Sequence, residues 1–164
     1  VVNLLSVSSV ADRYAQPNLA GLLALYEQNH AVLACLLGTI EPYPWGAVAR
    51  SSPALPALYL SVLQRDRFTT TYHLTHYFGE TGAPQAIPDL QLRVYHDARQ
   101  CEAIPDPVPE ARRGKPLIPL SERWAINVLL NKWLRYCVDR GYRFGLAFPP
   151  VPFPPITVPT PGQE

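Results

Sequence analysis

His96 is the residue whose setting could do chemistry. It stands in Leu90-Gln91-Leu92-Arg93-Val94-Tyr95-His96-Asp97-Ala98, a run that alternates apolar and polar residues. A period of two describes a strand with one dry and one wet face, so residues 90–102 are expected to form a single strand. Leu90, Leu92, Val94, His96 and Ala98 would share its apolar face, and Arg93, Tyr95, Asp97 and Arg99 the other. An imidazole among aliphatic side chains is either a core histidine bonded to a carbonyl or hydroxyl, or a group at the rim of a pocket. The second face reads basic, aromatic, acidic, basic. It is either a surface ion-pair ladder worth less than about 1 kcal/mol, or a site that grips an anion or peptide with arginine forks beside Tyr95.

Other reactive types are poorly placed. His73 and His76 point to opposite faces of any strand that carries them, so no metal site is expected. Cys101 is an odd number of residues from His96, which separates the two across that strand. No Gly-x-Ser-x-Gly elbow and no phosphate-binding glycine loop occurs, and no cofactor is expected. Arg112-Arg113-Gly114-Lys115 reads as a solvated loop.

Prolines mark out the elements that must position these groups. Nineteen occur in 164 residues, clustered near 42–56, 105–119 and 149–161. Each cluster excludes regular helix and central strand. Residues 18–37 give a first helix, with Leu19, Leu22, Leu23, Tyr26, Leu33, Leu36 and Leu37 as its stripe. Asn29 lies inside that stripe and either ties the helix to a neighbour or lines a polar pocket. Leu58-Tyr59-Leu60-Ser61-Val62 and residues 68–78 read as a hairpin, with Arg67 at the turn exit, and residues 46–51 as a weaker strand. Residues 79–88 read as loop. A last helix is expected over residues 122–140, capped by Ser121, with Ile126, Leu129, Leu130, Trp133 and Cys137 inward and Asn127 and Asn131 on the wetter side. The expected fold is α+β: an antiparallel sheet of three to four strands packed by an N-terminal and a C-terminal helix. Residues 1–16 read as an extension, 17–148 as one domain and 149–164 as a proline-rich tail.

Bulk composition narrows the partners. Charged residues make up 16% and hydrophobic ones 48%, with net charge +1. That gives no electrostatic case for nucleic acid or an anionic membrane. No apolar run approaches the ~20 residues that span a bilayer, and residues 1–10 lack the basic leader of an export signal. Cys35, Cys101 and Cys137 are odd in number and far apart, which suits free thiols in a reducing cytoplasm.

Four blocks in order resemble a known family: Leu25-Tyr26-Glu27-Gln28-Asn29, Arg67-Phe68-Thr69-Thr70, Arg93-Val94-Tyr95-His96-Asp97-Ala98, and Lys132-Trp133-Leu134-Arg135-Tyr136-Cys137. They are similar to the YqiB-like family of small bacterial proteins of unknown function, over about residues 13–142. The resemblance implies a cytoplasmic single-domain protein with helices flanking a β region. It brings no activity and no catalytic residue. The expected role is a non-enzymatic binding or regulatory module that contacts another protein. The alternative is a small-molecule-binding domain or enzyme with a pocket between helices and sheet, using His96, Asn29 and Arg67.

Overall fold

The computed structural model describes residues 17–38, 46–49, 54–79, 84–105 and 118–144. The N-terminal extension, the Arg112-Arg113 loop and the proline-rich tail lie outside these residues. The element order is α1 (Leu19–Leu37), β1 (Gly46–Ala49), β2 (Leu58–Arg65), β3 (Thr69–Phe78), β4 (Gln85–Tyr95), β5 (Gln100–Ile104) and α2 (Leu120–Asp139). The strands form one antiparallel sheet in the order β1-β2-β3-β4-β5. This is the expected α+β class, an antiparallel sheet packed by an N-terminal and a C-terminal helix.

The sheet has five strands where three to four are expected, because the expected third strand is two. Residues 90–102 are not one strand: the chain turns at residues 96–99 and returns as β5. Val94 then pairs with Cys101, and Tyr95 with Gln100. His96, Asp97, Ala98 and Arg99 therefore belong to a hairpin turn and not to strand faces. Arg99 closes the turn in the left-handed region at φ 52, where a Cβ costs about 1–2 kcal/mol.

Helix α1 starts as a capped helix should. The Asn18 side chain accepts the Gly21 amide at 2.8 Å. The helix ends at Gly38, whose φ of 72 suits glycine. Its buried face is Leu22, Leu25, Tyr26, Asn29, Leu33, Leu36 and Leu37, while Leu19 and Leu23 are exposed. Helix α2 starts one residue before the expected cap: Pro119 precedes it without a side-chain bond, and Ser121 lies in the first turn. Its inward face is also rotated from the expected one. Leu129 is 52% exposed, whereas Asn127 is fully buried with Leu130, Leu134 and Cys137.

The core lies between the helices and one sheet face. Leu58, Leu60, Val62, Tyr72, Leu74, Leu90, Leu92, Val94, Cys101 and Ala103 meet Leu33, Leu36, Leu37, Leu130, Leu134 and Cys137. Each fully buried aliphatic side chain contributes about 1.5–3 kcal/mol. Contacts advance in the same direction along both helices. Asn29 meets Asn127 and Asn131, and farther on the Phe144 amide donates to the Leu36 carbonyl at 2.8 Å. The two helices therefore run parallel. Neither is long and apolar enough to cross a membrane.

Candidate functional site

The β4–β5 turn is held down from both sides. The His96 amide donates to the Phe68 carbonyl at 2.9 Å, tying this turn to the β2–β3 turn that carries Arg67. The His96 ring bonds through Nε2 to the Thr70 hydroxyl at 2.8 Å. Asp97 accepts the Ala98 amide at 2.9 Å and so closes the turn on itself. His96 thus satisfies a buried threonine at the sheet end and is not an aliphatic-face core residue.

This turn faces α1 across an open groove of about 660 Å³, lined by Glu27, His30, Ala31, Ala98 and Arg99. Glu27, His30 and Ala31 share one helix face by their spacing. Ala31 and Ala98 leave the space because both side chains are single methyls. Burial, and then the nearby His96 and Arg99, hold the His30 imidazole below its ordinary pKa. His30 was not singled out from the sequence. The i, i+3 spacing of Glu27 and His30 is the sequence signal for that face, and nothing in the sequence places α1 against the turn.

The other expected residues divide among three places. Arg93 and Tyr95 lie on β4 opposite the buried Leu92 and Val94, with Arg93 level with Glu102 on β5. The Tyr95 hydroxyl donates to Glu102 at 2.7 Å. Arg67 is exposed at the neighbouring turn with its guanidinium 4.9 Å from the Phe68 ring centre. The four residues Arg93, Tyr95, Asp97 and Arg99 therefore do not make one face, because the chain turns after Tyr95.

Asn29 does not line the groove. It is fully buried between the helices, donating to Asn127 Oδ1 at 3.3 Å and accepting from Asn131 Nδ2 at 2.9 Å. Arg135 Nε donates to Asn131 Oδ1 at 2.9 Å. Asn127 also accepts the Ala103 amide of β5 at 2.9 Å and donates to the Arg123 carbonyl at 2.9 Å. This network joins α1, α2 and the sheet edge. Beside it, the Tyr26 hydroxyl is buried near Glu102 without a well-formed hydrogen bond, and burial together with that carboxylate pushes its pKa up to about 12.

Two thiols, Cys101 and Cys137, are held protonated by burial. Cys137 is pushed up to about 12 and Cys101 further, so neither is a ready nucleophile. Among the described residues no cluster of three or more His, Cys, Asp or Glu side chains could hold a metal ion. What the groove offers is one permanent cation, one carboxylate and an imidazole, with a second imidazole beside them.

A family model described as a protein of unknown function, DUF1249, matches residues 36–143, and the chain belongs to that family. The match takes in the β4–β5 turn and leaves out Glu27, His30 and Ala31, the α1 wall of the groove. No curated protein matches the chain, and no solved structure does.

Proposed function

We propose that the chain is a non-catalytic binding module whose site is the groove between α1 and the β4–β5 turn. The observation that carries this is the left-handed Arg99 on the groove wall. That backbone conformation favours glycine or asparagine. A long cation held there at a cost in stability is the pattern of a residue kept for what it touches. The occupant is a small polar molecule, in keeping with a concave site that has few converging polar groups. Three free cysteines, two of them buried, support a reducing cytoplasm as its compartment.

Ala31→Trp tests the reading, since an indole would fill the groove from the exposed helix face. Native mass spectrometry of purified full chain should show a retained small ligand or a screened binder that this variant loses. A ligand that binds Ala31→Trp as tightly as the parent would place the site elsewhere. A second reading, a protein partner at this end of the sheet, is supported by Phe68, which is 53% exposed beside Arg67. A pull-down lost in Phe68→Ser but kept in Ala31→Trp would favour it.

A further inference from the structure

Two of the residues that line the groove carry a full charge, and the two charges are opposite: Glu27 on α1 and Arg99 on the β4–β5 turn. The rest of the lining is neutral, being the His30 imidazole and the methyls of Ala31 and Ala98. Asp97 and the β2–β3 turn with Asp66 and Arg67 lie outside it. Glu27 and Arg99 stand on facing walls, yet among the described residues neither side chain makes an ion pair or a hydrogen bond, with the other or elsewhere. The fold sets the spacing of those walls. One is a turn of helix, and the other is tied through the His96 amide to Phe68 and through the His96 ring to Thr70.

Opposite charges that face each other without meeting are matched by one molecule that carries both. A carboxylate fits the Arg99 fork, whose parallel N–H groups take two oxygens. An ammonium has three donors and no acceptor, which suits the Glu27 carboxylate. A ligand with a single charge gains one of these contacts and brings a like charge toward the other wall. The lining as a whole is neutral and so favours a ligand of no net charge. The groove, at about 660 Å³, has room beyond the two charged groups, and the Ala31 and Ala98 methyls offer an apolar surface for a side chain.

We propose that the groove, taken as the binding site argued above, holds a small zwitterion, with its carboxylate on Arg99 and its ammonium on Glu27. The chemistry recognised is a free ammonium and a free carboxylate on one small molecule, as in an amino acid or a short peptide. His30 lies within electrostatic reach of Arg99, and its neutral ring has an N–H to add to the carboxylate end.

The test is a titration of amide NMR shifts in the full chain with four probes near neutral pH. Leucine and glycyl-leucine carry both charges at different separations. Leucinamide lacks the carboxylate, and isocaproate lacks the ammonium. Leucine or glycyl-leucine should move the amides of residues 27–31 and 98–99, and the tighter of the two tells a free amino acid from a peptide. Leucinamide and isocaproate should each bind about tenfold more weakly, for the loss of one charge-assisted contact. Glu27→Gln should weaken the zwitterion and leave isocaproate unchanged. Arg99→Gly, which relieves the left-handed strain, should weaken the zwitterion and leave leucinamide unchanged. A merely structural role for either residue would not give this crossed pattern.

Leucinamide and isocaproate binding as tightly as the zwitterions would show that the charges do not select the ligand, and the proposal falls. It falls equally if either substitution weakens all four probes alike. If neither leucine nor glycyl-leucine moves these amides, the zwitterion assignment is wrong, and the Ala31→Trp experiment then decides the groove separately.

Discussion

Asn127 covers the outer edge of the sheet: its side-chain oxygen, on α2, accepts the Ala103 amide of β5 at 2.9 Å. The same oxygen takes the Asn29 amide from α1. An open strand edge invites pairing with other chains, and covering it with a helix side chain is one way to prevent that. Asn127→Ala would leave two donors without a partner, each costing about 1–3 kcal/mol. We expect a loss of about 3 kcal/mol or more in urea unfolding for Asn127→Ala, against about 1–2 kcal/mol for Asn29→Ala, whose Asn131 partner is nearer solvent. Equal losses would mean that the Ala103 amide finds another acceptor.

His96 and Asp97 separate sharply in stability although they are adjacent. His96→Ala leaves the buried Thr70 hydroxyl without its 2.8 Å partner, and should cost about 1–3 kcal/mol. Asp97→Ala removes one exposed bond within the turn, and should cost about 0.5 kcal/mol. Paired denaturant curves check this, and the reverse order would contradict the turn geometry.

Stability should fall in mild acid. His76 is buried, with Nδ1 2.9 Å from the Ala57 carbonyl and the Trp133 and Tyr142 rings against it. Burial, only partly opposed by the Ala57 bond, lowers its pKa. The unfolded chain therefore binds the proton more readily than the folded one. The contribution is complete above about pH 6.5 and is lost as pH drops toward the folded value. His30 is shifted the same way. The urea midpoint should decline between about pH 7 and pH 5, less steeply in His76→Gln. A midpoint that rose on acidification would show that the sign is wrong.

Glu102 should be visible from two tyrosines at once. Burial is the largest influence on both Tyr26 and Tyr95, and the Glu102 carboxylate raises both further. In Glu102→Gln the acceptor remains but the charge is gone. Both phenols should then titrate earlier while staying above the ordinary tyrosine value, as read by the ultraviolet absorbance of tyrosinate. Unchanged titration of both would exclude a shared carboxylate.

The helices and the β2–β3 hairpin could be read from apolar spacing because their stripes and proline borders agree. The β4–β5 turn could not. His96-Asp97-Ala98-Arg99 contains no glycine or proline, and the alternation of residues 90–95 runs on in phase through it. The left-handed residue that a turn needs is an arginine, which carries no such signal. The start of β4 was hidden for the opposite reason. Pro88 argues against a strand, yet it falls where the β3–β4 register shifts between Leu74 and His76, a gap that demands no regular ladder bond. Polarity alone puts Asn127 on the wet side, whereas the fold buries it. Asn29, buried on the other helix, needs a partner of its own kind, and Asn127 meets that need. The groove depended on the tertiary meeting of α1 with a turn that the alternation concealed.

The order of the chain adds a consequence for synthesis. Every strand of the sheet pairs with a sequence neighbour, so the sheet can grow hairpin by hairpin as it leaves the ribosome. Its last strand cannot be finished that way. The Ala103 amide waits for a side chain encoded 24 residues later, and the Asn29 side-chain oxygen for one 102 residues after it. A nascent chain that ends before α2 therefore carries a bare strand end on an otherwise completed sheet. An edge left bare in that interval is of the kind that pairs with another chain.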